Sequence, residues 1–298
     1  HRIKGDFNVE FSGCYTTRIR LKQWNQHSET MLYNAEFLQA LDVLLHGMKP
    51  EPDALLAEWR DLFFCQFHDA LCGCHIDENY DHIVPAFERV ISGADRRMKY
   101  MAAQLVGSSL PDAKNTKVVV FNTLPHQRKD VVRIPTNAAT ACDAYSKQVP
   151  CQRDGDELAF VVDIGGGGAV AYSFDCGVTE LELSDRDQSD RFELQSHEVG
   201  LDILDRACGR SILRSDELAA QIVLKEDIGT LWTEEFTGRE RREQIGDSVL
   251  EDVHSGPLFT KITYSGSMSR ESVDWDTFVS LNWRKTCFIY RDLDRIDV

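Results

Sequence analysis

Apolar side chains recur every three or four residues through the first third of the chain, which is the period of a helix with one buried face. Three such stretches are separated by short segments that contain glycine or proline. The predicted helices cover residues 18–46, a stretch from residue 53 to residues 68–71, and residues 77–105. Because long helices joined by short turns pack side by side, this pattern predicts an antiparallel three-helix bundle.

Residue usage changes near residue 110. Short runs rich in β-branched residues follow, separated by Asn, Pro and Gly, and they include residues 118–121, 131–134 and 160–162. This alternation predicts an all-β domain. We therefore predict an α+β chain with two domains, a three-helix bundle over residues 1–110 and a β domain over residues 111–298.

Four consecutive glycines at residues 165–168 could belong to a phosphate-binding loop. The dinucleotide fingerprint requires Gly or Ala two residues later, where this chain has Val170, and no helical pattern follows. The run is therefore interpreted as a turn before a strand at residues 169–174.

Charge and hydropathy exclude two classes of partner. The chain has 298 residues, of which 49 are acidic and 33 basic, so its net charge is −16. This charge repels nucleic-acid phosphates, and the sequence contains no basic patch that would offset the repulsion. No apolar run approaches the roughly 20 residues that a membrane-spanning helix needs. Neither a nucleic acid nor a membrane is expected as a partner.

Cysteine usage indicates a reducing compartment. The chain has nine cysteines, an odd number without a regular framework, and it lacks any Asn-x-Ser/Thr sequon. These features favour reduced thiols in a cytoplasmic protein. The pair at Cys72 and Cys74 has no partner pair at zinc-ribbon spacing, so these side chains are interpreted as loop thiols and not as metal ligands.

A histidine beside a carboxylate, in the sequence Gln66-Phe67-His68-Asp69, is the strongest candidate for chemistry. One interpretation makes His68 half of a metal site at a helix end. The other is structural, with the imidazole favoured by the helix dipole and Asp69 bound to nearby backbone. The tetrad alone leaves both open.

Three segments together carry a family resemblance: residues 13–23, residues 66–73 and residues 118–125. In this order and spacing they resemble glycoside hydrolase family 38, the α-mannosidases, and weaker similarity extends from residues 5–8 to residues 292–297. The resemblance implies a helical middle domain followed by part of a mutarotase-like β-supersandwich. It also implies that the α/β catalytic domain of the family is absent from this chain.

The resemblance assigns roles to three residues. His68 matches the zinc-binding histidine of the family, and Asp69 matches the neighbouring aspartate, which accepts hydrogen bonds from sugar hydroxyls. Trp232 lies in a stretch from which the family directs an aromatic side chain toward the sugar, although several relatives have tyrosine there. A tryptophan packed in the core is the equal alternative. The nucleophile and the acid/base belong to the absent domain, so no catalytic carboxylate is expected in this chain.

Two segments near the motif are interpreted as structural. Residues 15–18 are expected to cap the first helix and to anchor it to the catalytic domain. His75 and Asp77 have the His-x-Asp spacing of two other zinc ligands of the family, but Asp77 falls where the third helix begins, so a capping role is preferred. Phe67, which varies among relatives, is expected to pack against a helix.

The implied activity is that of a zinc-dependent retaining exo-α-mannosidase acting on oligosaccharides. The expected partners are a mannose-containing oligosaccharide, zinc and the catalytic domain of the same protein, and oligomerisation is compatible with the sequence. Since the chain begins at His1 and ends at Val298 in a predicted strand, it is interpreted as an internal fragment that is inactive and prone to aggregate alone.

Two alternatives stay open at this stage. One is a family member that hydrolyses a mannosylated small acid. The other is a non-catalytic carbohydrate-binding or interaction module. The reading frame upstream of His1 separates the enzyme from the module, because only the enzyme requires a preceding domain with a His-x-Asp pair and an aspartate nucleophile.

Overall fold

A computed structural model describes residues 11–47, 49, 52–106, 117–175, 191–197, 200–211, 221–269, 280–291 and 293–298. The chain forms two compact units. The first comprises His1–Leu110 and Asp227–Gly238, and the second comprises Pro111–Glu226 and Arg239–Val298. The inclusion of residues 227–238 in the helical unit is not predicted by any pattern in the sequence.

The first unit is helical, as predicted. Its described helices are α1 (Ile19–His46), α2 (Pro52–Cys65), α3 (His68–Leu71) and α4 (Asp77–Val106). The second predicted helix is wrong at its end, because α2 stops at Cys65 and α3 is a separate turn. The backbone of Phe67, at φ −54° and ψ 135°, is extended and interrupts the helix between them.

One apolar core joins the three long helices. Leu21 and Leu32 of α1, Leu62 of α2 and Phe87 of α4 are all fully buried. Buried apolar area of this kind is the main stabilising contribution to such a bundle.

The second unit contains β-strands paired mainly in antiparallel sheets. The described strands are β1 (Lys117–Phe121), β2 (Arg128–Pro135), β3 (Ala141–Cys142), β4 (Gln148–Val149), β5 (Cys151–Asp154), β6 (Glu157–Ile164), β7 (Ala169–Phe174), β8 (Phe192–His197), β9 (Gly200–Asp205), β10 (Arg210–Ser211), β11 (Val223–Asp227), β12 (Phe236–Arg242), β13 (Ser248–Ser255), β14 (Phe259–Ser269), β15 (Ser280–Tyr290) and β16 (Ile296–Asp297). Their sheet orders are β1-β7-β3-β4, β2-β6-β5, β10-β9-β8, β11-β12 and β13-β14-β15-β16. The predicted fold class, a helical domain followed by a β-sandwich region, is confirmed.

Strand β6 contributes to two cores. Leu158, Phe160 and Val162 pack with β1 and β7 residues in one apolar cluster. Ala159 and Val161, on the other face, pack with residues of β14 and β15. Because side chains alternate between the faces of a strand, β6 is apolar at nearly every position.

The glycine run at residues 165–168 forms the turn between β6 and β7, as predicted. A Cβ atom on Gly166 would lie 2.2 Å from the Pro125 carbonyl oxygen, and Gly167 has φ +65°. Both positions therefore require glycine for close backbone packing or for a left-handed conformation.

Cysteine pairing departs from the expectation of reduced thiols at one position. Cys142 is disulfide-bonded. Free thiols in the described parts of the chain are Cys14, Cys65, Cys72, Cys74, Cys151, Cys208 and Cys287. Within these same parts, no helix is long and apolar enough to cross a membrane.

The ion pairs of Asp154 predict a dependence of stability on pH. Its carboxylate oxygens lie 2.6 Å from Lys261 Nζ and 2.8 Å from Arg133 Nη1. Loss of hydration acts to raise the pKa of Asp154, but hydrogen bonds from these two cations outweigh it and hold the pKa below its usual value. A lowered folded-state pKa stabilises the fold above the unfolded value of about 4, and this contribution is lost as the pH falls further.

Asp154→Asn should therefore flatten the decline in the free energy of unfolding between about pH 5 and pH 2. Urea unfolding at a series of pH values measures this effect. Asp156→Asn, at an exposed position in the adjacent turn, is the matched control. Equal pH profiles for wild type and Asp154→Asn would contradict the prediction.

Candidate functional site

His68 and Asp69 are the first two residues of the short helix α3. The His68 side chain is 82% exposed and that of Asp69 is 59% exposed, and His68 Nε2 lies 3.5 Å from Asp69 Oδ1. Side chains of neighbouring residues on a helix diverge by about 100°, yet these two groups approach each other. The actual arrangement presents an imidazole and a carboxylate side by side to solvent.

The Gln66 side chain anchors the two-residue linker, Gln66-Phe67, that joins α2 to α3. Its Nε2 donates hydrogen bonds to Asn25 Oδ1 at 3.0 Å and to Glu29 Oε1 at 2.7 Å, both on α1. Phe67 is exposed, contrary to its expected packing role, and its ring centroid lies 4.5 Å from that of His68. The linker is thus held by Gln66, while the Phe67 ring restricts the His68 imidazole.

Trp232 lies on a loop whose backbone is closed by Asp227. The Asp227 carboxylate accepts hydrogen bonds from the amides of Gly229 at 2.9 Å and Glu235 at 2.8 Å. The Trp232 side chain is 42% exposed and meets Phe11 edge to face, with ring centroids 5.8 Å apart. Trp232 is therefore not a core tryptophan, and its indole is accessible.

The segment before α1 holds this loop within the helical unit. The Gly13 amide donates to the Trp232 carbonyl at 3.1 Å, and Thr17 Oγ1 donates to the Leu231 carbonyl at 3.0 Å. A Cβ atom on Gly13 would lie 2.8 Å from the Leu231 carbonyl oxygen, so glycine permits this close approach.

The loop that follows α3 contacts the same carbonyl. Cys74 Sγ donates to the Leu231 carbonyl oxygen at 3.0 Å, and Cys72 Sγ lies 3.5 Å from the Asp69 carbonyl oxygen. The segment that carries His68 and Asp69 therefore continues into one that touches the Trp232 loop.

The side chains of His75 and Asp77 both contact Arg18. Arg18 Nη1 lies 2.9 Å from His75 Nδ1, and Arg18 Nη2 donates to Asp77. The guanidinium also lies 4.9 Å from the centre of the Tyr80 ring. Since a fixed cation already sits between these two groups, the geometry favours the structural interpretation over a metal site.

No cluster of three or more His, Cys, Asp or Glu side chains suited to a metal ion occurs among the residues that the structure describes. His68 supplies one imidazole donor, and a stable zinc site requires about four ligands. The described residues therefore do not by themselves make up a complete zinc site.

The helical region matches a known family model. Residues 10–105 match the family model of the alpha mannosidase middle domain. The helical region is therefore similar to an alpha-mannosidase middle domain. The match contains His68, Asp69 and the segment before α1, and it ends near the last turn of α4.

Curated proteins similar to part of this chain include two from mammals. The chain is 30% identical over 136 residues to Alpha-mannosidase 2C1 of Mus musculus, an alignment that covers 45% of this chain and 12% of the mouse protein. It is 29% identical over 126 residues to the Homo sapiens protein of the same name, covering 42% and 12%. The chain thus spans a small part of the relatives it matches.

Solved structures support the fold of both units. A glycosyl hydrolase family 38 protein from Enterococcus faecalis superposes with a TM-score of 0.72 over 96% of this chain and 43% of its own, at 16% identity. An alpha-mannosidase from the same organism gives 0.69 over 97% and 42%, also at 16% identity. Family model, curated relatives and structures together confirm the resemblance to glycoside hydrolase family 38.

The roles of His68, Asp69 and Trp232 stay predictions. The sequence places Gln66 and Gly13 in the motifs but assigns neither of them a role in positioning these side chains. A glycine before a predicted helix is a general signal of close packing, but its contact with Leu231 follows only from the three-dimensional structure.

Proposed function

We propose that this chain is part of a zinc-dependent retaining exo-α-mannosidase that removes terminal α-mannosyl residues from oligosaccharides. The observation that supports it most is the alpha-mannosidase middle-domain match, which includes the exposed His68 and Asp69 pair. The matched family consists of glycosidases. The mannosyl substrate and the retaining mechanism go beyond that match and are part of our proposal.

In this proposal His68 donates one ring nitrogen to zinc. A neutral imidazole suits this metal. Because the imidazole is exposed, it can bind a zinc ion whose other ligands come from another part of the protein. The Phe67 ring against His68 restricts the imidazole without blocking it. When bound, zinc would polarise and orient the hydroxyls of the sugar.

Asp69 accepts hydrogen bonds from sugar hydroxyls. Its carboxylate is exposed and lies 3.5 Å from His68, so both groups can act on a single pyranose. Trp232 offers an accessible ring for stacking against a sugar face, and hydrogen bonds to Gly13 and Thr17 fix the backbone beneath it.

Asp69→Asn should lower kcat/KM by roughly ten- to a few-hundredfold, because a hydrogen bond to a charged group contributes about 1.5–3 kcal/mol and this one tightens in the transition state. Zinc content should not change, because Asp69 is not a ligand in this proposal. Steady-state kinetics and metal analysis of the full protein measure both quantities. Asp61→Asn on α2, which pairs with Arg89, is the matched control. Loss of zinc together with activity would contradict the division of roles.

The proposed activity is tested on a protein that contains this chain and the residues encoded upstream of it. Hydrolysis of an aryl α-mannoside, followed by proton NMR, should give the α-anomer of mannose first, and a chelator should abolish turnover. Binding of mannosides without hydrolysis would overturn the proposed enzymatic activity and favour a carbohydrate-binding module. Turnover only of a mannosylated small acid would overturn the oligosaccharide substrate.

A further inference from the structure

Two cysteines far apart in the sequence meet beside the Trp232 loop. Cys14 Sγ and Cys74 Sγ lie 3.5 Å apart, although 60 positions separate them in the chain. Both side chains are partly exposed free thiols. A disulfide bond has sulfur atoms about 2.05 Å apart, so closure requires a movement of only about 1.5 Å.

We propose that Cys14 and Cys74 are a site of reversible oxidation, at which hydrogen peroxide converts the two thiols into a disulfide. This inference is independent of the proposed mannosidase activity. It assigns a function to the Cys72-Gly73-Cys74 segment, which the sequence alone presents only as loop thiols.

Local structure holds the two sulfur atoms in place. Cys14 lies in a 3-10 turn at Ser12–Tyr15. The Cys14 amide donates to the Phe11 carbonyl at 3.0 Å, and the Thr16 amide donates to the Gly13 carbonyl at 3.1 Å. Gly73, next to Cys74, has φ +76°, and a Cβ atom on it would lie 2.9 Å from the Thr17 carbonyl oxygen. Both cysteines are therefore on ordered backbone, which favours one specific pairing over random thiol oxidation.

The surroundings differ for the two thiols. Loss of hydration and the hydrogen bond to Cys14 raise the pKa of the Cys74 thiol to about 12, so Cys74 is protonated at neutral pH. Lys22 Nζ donates to the Cys72 carbonyl at 2.8 Å and interacts electrostatically with Cys72, Cys74 and Cys14. Because the proton on the Cys74 sulfur is held, Cys14 is the sulfur that reacts first.

The chemistry balances in two steps. The Cys14 thiol attacks one peroxide oxygen, the O–O bond breaks, and Cys14 sulfenic acid and one water form. The Cys74 sulfur then attacks the Cys14 sulfur, the S–O bond breaks, and the departing hydroxide takes the Cys74 proton to form a second water. Two thiols are oxidised and one peroxide is reduced. A dithiol such as dithiothreitol reverses the reaction by exchange.

Oxidation also removes a contact to the Trp232 loop. The Cys74 thiol is one of two donors to the Leu231 carbonyl, and the other is Thr17 Oγ1. A disulfide sulfur has no proton to donate. Formation of the bond therefore removes one of these two hydrogen bonds to Leu231 and loosens the loop that carries Trp232.

The test uses the full-length protein that contains this chain, treated with hydrogen peroxide, blocked with N-ethylmaleimide and digested with trypsin without reduction. A linked pair of peptides, residues 5–18 with residues 61–89, should appear and should vanish after dithiothreitol. Since the second peptide also contains Cys65 and Cys72, fragment spectra must place the bond at Cys74. A bond at Cys65 or Cys72, or no linked peptide, would overturn the proposal.

Variants separate the pair from its neighbour. Cys72→Ser is the matched control and should form the bond as the wild type does. Cys74→Ser should lose it and accumulate Cys14 sulfenic acid, which dimedone labels on the peptide of residues 5–18. Amide hydrogen exchange over residues 228–235 should be faster in the oxidised wild type than in the reduced protein. Unchanged exchange would overturn the coupling to the loop.

Discussion

His68→Ala should remove most of the bound zinc and reduce mannosidase activity below detection in a protein that contains this chain and its other zinc ligands. The physical reason is the loss of a ligand from a site with about four, since each ligand contributes strongly to the affinity for the metal. Metal analysis by mass spectrometry and hydrolysis of an aryl α-mannoside measure the two effects. The expectation depends on the proposed function.

His82→Ala is the matched control for this experiment. His82 is an exposed histidine on α4, so its replacement tests whether any lost imidazole affects zinc binding. The control should keep wild-type zinc and activity. If His68→Ala also kept both, His68 would not be a ligand, and the structural interpretation of the motif would replace the metal site.

Glu243→Ala should lower the free energy of unfolding of the β unit by about 3–5 kcal/mol, because it leaves the charge of Lys285 buried and unpaired. The Glu243 side chain is only 1% exposed and forms an ion pair with Lys285. Its two oxygens also accept hydrogen bonds from Ser248 Oγ at 2.5 Å and from the Ile222 amide at 2.9 Å. Guanidinium unfolding measures the change.

Two further variants show whether burial causes this effect. Glu251→Ala breaks a more exposed pair with Arg284 and should cost less than about 1 kcal/mol. Replacing Glu243 by Leu and Lys285 by Met together should restore much of the stability, since two apolar groups need no partner. A small loss for Glu243→Ala alone would show that water reaches Lys285.

In the helical unit, apolar periodicity predicted α1 but not the interruption after α2. The spacing of Leu21, Ala35 and Leu38 correctly predicted α1, because one buried stripe requires that period. The same pattern continued past Cys65 and gave no sign of the break at Phe67. Gln66 binds Asn25 and Glu29 on another helix, and such contacts between distant residues leave no trace in local spacing.

The sequence by itself determined the helix and strand types, the family resemblance and the candidates His68 and Asp69, because these depend on local periodicity and on short motifs. Only the tertiary structure decided that Leu231 lies beside Thr17 and Cys74, which are 214 and 157 positions away in the chain. It also decided that β6 is buried on both faces. Local propensities act over a few residues, whereas these contacts form when the folded chain buries apolar surface and satisfies backbone groups far apart in sequence.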